Sequence, residues 1–242
     1  MPAPLAFLYG GAGSGINRFA EFDRRAVVAG LALLPLAAHA EGIPEPDLLE
    51  RAMIAMGGRK RLARVKALEW TGTATVPNKE QQLEIEVKTR VEPFVRARSE
   101  SNLPGRPETA RTMIIEPDGG FVERNGTRTP LPPRQAEHER QQFGVYGYLL
   151  LAQAPAHVEG RTIVAQRAGL PPIRFTGFEG DFPRVADYAV ANPDGDDSLD
   201  QRFLFEGEYV AEGISWPQTI SIFRGKQLYF SLDLQTLSIE LA

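Results

Sequence analysis

An α+β fold, one domain built on a large antiparallel sheet, is what three features of this 242-residue chain predict. Strand-length stretches alternate apolar and polar residues with one greasy parity, as antiparallel strands with one buried and one wet face do. Leu83, Ile85, Val87 and Val91 oppose Glu84, Glu86, Lys88 and Arg90, and Leu228, Phe230, Leu232 and Leu234 oppose Tyr229, Ser231 and Asp233. Helical patterns are few and grouped, one before the strands and one between two runs of them. Neither an internal repeat nor a linker-like stretch divides residues 41–242.

Residues 1–40 read as an export signal. Arg24 and Arg25 precede a short apolar run, Ala26 to Ala38, that ends in Ala38-His39-Ala40, a small-x-small cleavage pattern after Ala40. The paired arginines favour a twin-arginine signal over an ordinary secretory one. The run is too short to span a bilayer. In the rest, Asp47 opens a helix with Glu50 three residues on, and Leu49, Ala52, Met53 and Met56 form one apolar stripe that Gly57-Gly58 ends. A short helical turn through Leu62 and Val65 follows.

Strands are then expected at Trp70–Val76 and Leu83–Val91 around a turn at Pro77-Asn78-Lys79, and at Phe94–Glu100 and Arg111–Ile115 around a polar loop, Asn102–Glu108. Phe121–Arg124 and Thr127–Leu131 flank Asn125-Gly126, a strong hairpin signal. Pro132-Pro133 starts a helix through Glu137 and Gln141, and beyond Gly144 comes a Tyr- and Leu-rich stretch, Val145–Ala152. The remaining strands are Thr162–Gln166, Pro172–Gly177, Arg184–Ala191, Leu199–Phe205, Gln218–Phe223, Gln227–Leu234 and Leu237–Leu241.

Composition narrows the function. The formal net charge is −4, and removing residues 1–40 leaves the remainder one unit more acidic, which argues against a nucleic-acid partner. Cysteine is absent, so an exported chain relies on its core alone and offers no thiol for a lipid anchor. No HExxH, Cys/His cluster or Gly-x-Ser-x-Gly elbow is present. His138, among Glu137, Glu139 and Arg140, reads as a solvated helix residue, and His157 as a loop residue. Asp194, Asp196, Asp197 and Asp200 read as a solvated turn, because the EF-hand positions for Gly and Glu hold Asp197 and Phe203. Gly11 to Gly15 imitates a phosphate loop but lacks the following Lys-Ser/Thr. Arg59, Lys60, Arg61, Arg64 and Lys66 form a basic cluster that reads as a solvated helix end or as a contact for anionic head groups. No catalytic residue, metal or cofactor is expected.

The order of several phrases resembles the LolA-like superfamily of periplasmic lipoprotein carriers and outer-membrane lipoprotein-sorting homologues. The phrases are Leu48-Leu49-Glu50-Arg51-Ala52 to Met56-Gly57-Gly58 and Leu68-Glu69-Trp70-Thr71-Gly72. They continue in Asp118-Gly119-Gly120 with Asn125-Gly126 and Leu131-Pro132-Pro133, and in Gly213-Ile214, Trp216-Pro217 and Ile220-Ser221-Ile222. The resemblance implies a strongly curved, unclosed half-barrel whose concave face helices plug, with acyl chains held between. Phe143, Tyr146, Leu149 and Leu150 would then face Trp70, Ile85, Val87, Phe175, Phe203 and Phe205 across an apolar cavity. It also implies a periplasmic monomer that binds acyl chains of a lipid or lipoprotein and meets an inner- or outer-membrane partner protein. A regulatory or scaffolding protein of the same fold is the alternative, a hydrolase the third reading.

Overall fold

The first helix forms where its cap and stripe place it. In this computed structural model, which describes residues 46–77 and 82–242, α1 (Leu48–Ala55) is capped by the Asp47 carboxylate, which accepts from the Glu50 N–H at 2.9 Å. Leu49, Ala52 and Met53 are buried. The chain turns at Gly57, φ +117°, where a Cβ would stand 2.3 Å from the Gly213 carbonyl oxygen, so no other residue fits. One turn of helix, α2 (Arg59–Leu62), seats Leu62 in the core. The export signal expected over residues 1–40 lies outside the described residues.

Six strands follow: β1 (Val65–Pro77), β2 (Gln82–Glu92), β3 (Arg96–Leu103), β4 (Arg106–Glu116), β5 (Gly119–Arg124) and β6 (Thr127–Pro130). After α3 (Pro133–Leu149) come β7 (Ala156–Glu159), β8 (Thr162–Ala165), β9 (Ile173–Glu179), β10 (Phe182–Ala191) and β11 (Ser198–Glu206). β12 (Tyr209–Ala211), β13 (Ile214–Trp216), β14 (Thr219–Arg224) and β15 (Gln227–Leu241) complete the chain. Among the described residues thirteen strands form one antiparallel sheet in the order β6-β5-β4-β3-β2-β1-β15-β14-β11-β10-β9-β8-β7, and β12–β13 is a separate hairpin. The chain steps outward from β1 to the edge strand β6, crosses through α3 to the opposite edge strand β7, and steps back until β15 pairs with β1. β6 and β7 do not pair with each other, so the sheet is not closed into a barrel.

Several expectations need correction. Val65 begins β1 rather than continuing the helical turn, and Phe94, φ 61°, sits in the turn before β3 rather than in a strand. Asn102–Glu108 is not a loop: β3 and β4 run through it, with Leu103 paired to Arg106 across Pro104-Gly105. That ribbon end is wet on both faces, so it carries no apolar parity to read. The two C-terminal strands are one, because a bulge absorbs the parity change: Thr236 pairs with Thr71 and Leu234 with Gly72, leaving Gln235 over. Helix α3 runs through Gly144, as the helical spacing of Phe143, Tyr146 and Leu149 expects, and the residue at Gly147 must be small because a Cβ there would lie 2.7 Å from the Phe94 ring. The short strands β7 and β12–β13 carried too few residues to show a pattern, and β7 includes His157. The Pro77-Asn78-Lys79 turn lies partly outside the described residues, and Pro77 pairs with Gln82 across it.

Candidate functional site

Helix α3 lies against one face of the sheet and touches β2, β3, β4 and β5 from one half and β10 from the other. Its C-terminal turn fills the core: Tyr148, Leu149 and Leu150 are fully buried, with the Tyr148 hydroxyl donating to the Pro171 carbonyl at 2.9 Å. One turn earlier it does not fill the space. Glu139, Gln142, Phe143 and Tyr146, at i, i+3, i+4 and i+7, line a cavity of about 240 Å³.

The opposite wall takes its apolar residues from six strands. Trp70 of β1, Ile85 and Val87 of β2, Met113 of β4, Phe203 of β11, Ile222 of β14 and Leu232 of β15 give it an apolar surface. Trp70 and Tyr146 close its floor, their ring centroids 4.8 Å apart and tilted by 51°. Burial pushes the Tyr146 hydroxyl well above its ordinary pKa.

Val76, Tyr229 and Phe230 also line it, and the remaining lining is polar. Thr89 and Ser99 share a hydroxyl hydrogen bond of 2.8 Å, and Arg111 Nε donates to Ser101 Oγ at 3.3 Å. Gln142 Nε2 donates to Gln201 Oε1 at 3.2 Å. The Glu139 carboxyl has no hydrogen-bond or ion-pair partner among the described residues. Burial raises its pKa to about 7, against the pull of Arg111 and Arg224. Arg224 lies over the Tyr229 ring, its Cζ 3.5 Å from the centroid.

Of the ten residues expected to line an acyl-chain site, Trp70, Ile85, Val87, Phe143, Tyr146 and Phe203 come together at this cavity. Leu149, Leu150, Phe175 and Phe205 lie in the solid core away from it. Val76, Met113, Ile222, Tyr229, Phe230 and Leu232 line the cavity as well without having been expected, and so do six polar residues: Arg111, Glu139, Gln142, Thr89, Ser99 and Ser101. The apolar six lie on strands that the alternation marks, but the polar six are harder to find. Their only trace in the sequence is position: Glu139 and Gln142 continue the Phe143–Tyr146 stripe toward the helix start, and Thr89 keeps the parity of Val87 and Val91.

His138 is not the solvated residue its neighbours suggested. It is buried; its Nδ1–H donates to the Ala191 carbonyl at 2.6 Å, which leaves Nε2 to accept from Arg224 Nη2 at 3.3 Å. Gln141 Oε1 accepts from the Ala191 N–H at 2.5 Å, so α3 satisfies both backbone groups of that residue. Burial, the larger cause, and the Arg224 charge lower the His138 pKa. His157 is exposed and pairs with Glu159 at 3.1 Å. The acidic turn of β10–β11 is clamped by Arg134, which donates to the carbonyls of Gly195, Asp196 and Asp197. In the basic cluster Arg59 pairs with Glu50, and Arg61 and Arg64 hold the carbonyls of Gly57 and Ala242.

Among the described residues no helix is long and apolar enough to cross a membrane. No protein-family model matches the chain, and no curated protein matches it in sequence. Solved structures do. A domain named for outer membrane lipoprotein sorting, from Vibrio parahaemolyticus, matches 79% of this chain and 93% of its own length at 9% identity, with a TM-score of 0.50. A DUF1329 family protein from Desulfovibrio piger matches 81% and 94% at 10% identity and a TM-score of 0.45. A LolA superfamily protein from Nitrosomonas europaea matches 81% and 93% at 10% identity and 0.46. In three dimensions, then, the chain shares the fold of the lipoprotein-sorting domain, in agreement with the resemblance to outer-membrane lipoprotein-sorting homologues read from its residues.

Proposed function

We propose that the chain is a periplasmic binding protein or carrier that holds acyl chains of a lipid or lipidated protein between the sheet and α3. The cavity under Phe143 and Tyr146 carries this reading: a partly filled apolar space with a polar rim suits a ligand with a greasy tail and a wet end. The likeness to a domain named for lipoprotein sorting supports it.

Topology adds a physical argument for a trough. Thirteen strands about 4.8 Å apart would make a flat sheet roughly 58 Å wide. The seventeen residues of α3 span roughly 25 Å, and the chain after it turns at Leu151, φ 56°. Residues 131–132 and 150–155 would have to run almost fully extended to supply the rest, and the turn at Leu151 shortens them. A sheet bent around the helix, with α3 on its concave side, accommodates the connection. An acyl chain gains about 0.8 kcal/mol per buried methylene, enough to offset the cost of ordering it.

Organic extraction of protein purified from the periplasm, followed by mass spectrometry, tests the proposal. A co-purifying lipid that delipidated protein takes up again is the expected result. Protein free of lipid and unable to bind a fluorescent apolar probe would favour a scaffolding role through protein contacts.

A further inference from the structure

The cavity's polar wall has a direction. Thr89, Ser99 and Ser101 give one side a row of hydroxyls, and Arg111, exposed at the rim, ends it. Arginines on the other face of the same strands are matched with carboxylates: Arg90 with Glu240 at 2.7 Å and Arg98 with Glu100 at 2.8 Å. Arg111 makes no ion pair among the described residues. Nor does half-buried Arg224, whose Nε is buried without a partner and whose plane backs the cavity-lining Tyr229. Glu139 is the carboxyl facing this space, and burial keeps it partly protonated near neutral pH. Asp194 acts on His138 and Tyr229, the partners of Arg224, and offsets part of that charge, so Arg111 at the rim, faced by one incompletely charged carboxyl, makes this end of the cavity positive.

We propose that the cavity takes a single acyl chain ending in an anionic head group, with the head at Arg111 and the hydroxyl row and the tail against Trp70, Phe203 and Leu232. This rests on the lipid-binding reading above and narrows it. About 240 Å³ lies below the ~300–1,000 Å³ of sites that enclose drug-sized ligands, so it suits one chain rather than the several of a triacylated lipid. A guanidinium forks equally well onto carboxylate or phosphate oxygens, and hydroxyls donate to either.

The test displaces the uncharged probe N-phenyl-1-naphthylamine from delipidated protein with palmitate, lysophosphatidylglycerol or hexadecanol. At least one anionic amphiphile should displace it at about tenfold lower concentration than hexadecanol, the size of one lost charge-assisted contact. Whichever of the two acts more strongly identifies the head group as carboxylate or phosphate. Arg111→Gln should close the gap, Arg111→Lys should keep part of it, and Arg98→Gln on the opposite face should leave it intact, with folding of each checked by circular dichroism. Equal displacement by alcohol and anions, or a gap that survives in folded Arg111→Gln, would overturn the head-group assignment while leaving lipid binding standing. A protein that binds neither probe nor any of the three would overturn both.

Discussion

Glu139 and His138, neighbours on α3, pull stability in opposite directions with pH. The folded protein keeps a proton on Glu139 up to about pH 7, whereas an ordinary glutamate loses it near 4.5. The folded state therefore binds the extra proton, and stability falls as pH rises from about 4.5 to 7. Glu139→Gln keeps a neutral side chain of similar shape. Urea unfolding should find it about 1–2 kcal/mol more stable than the parent at pH 8 and equal at pH 4, less than the full pKa conversion because the carboxyl keeps some contact with water. His138 works the other way: it is held neutral, so stability is lost as pH falls below its ordinary 6.5. Replacing His138 by Gln should flatten the acid limb of the stability profile even where the variant is weaker overall. Neither residue could be interpreted from its neighbours in sequence, because what buries His138 is the end of β10, more than fifty positions away.

On the scale of the element, α3 decides the site. Its apolar residues marked the helix, and Leu149 and Leu150 pack one turn beyond the cavity that Phe143 and Tyr146 line, because apolar character reports the driest packing and a cavity with a half-polar lining is only partly dry. The sheet was easier: the single-parity pattern of β2 and β15 is a direct image of one buried face, while the wet-sided β3–β4 ribbon and three-residue strands left no such image. Two substitutions probe the helix. Gly147→Ala should gain about 1 kcal/mol of helix propensity. It should lose about 1–3 kcal/mol by pushing the Phe94 ring, so a net drop in denaturation midpoint is expected. Phe143 also lines a second cavity of about 250 Å³ beside Phe94 and Leu170. Phe143→Ala should join the two spaces and shift the preferred chain length upward in displacement assays with acids of twelve to twenty carbons, roughly, at a stability cost of about 2–4 kcal/mol.

At the largest scale, the described residues form a strip of strands whose two outermost members are joined by one helix. A lid hinged at one end could lift freely; a strap fastened at both ends cannot. If α3 moves to admit a ligand, β6 and β7 must move with it, and the widening of the rim becomes the measurable event. The chain contains no cysteine, so Arg128→Cys with His157→Cys, both exposed on those two strands, would carry the only spin labels. Pulsed electron resonance should show their separation increase when palmitate is added; an unchanged distance on a ligand-bound sample would mean entry leaves the outer strands in place. The same fastening sets the rate. Admission would then cost the coordinated loosening of many backbone hydrogen bonds rather than the swing of one flap, so uptake and release should be slow beside diffusion, and a cargo once seated would be kept in transit.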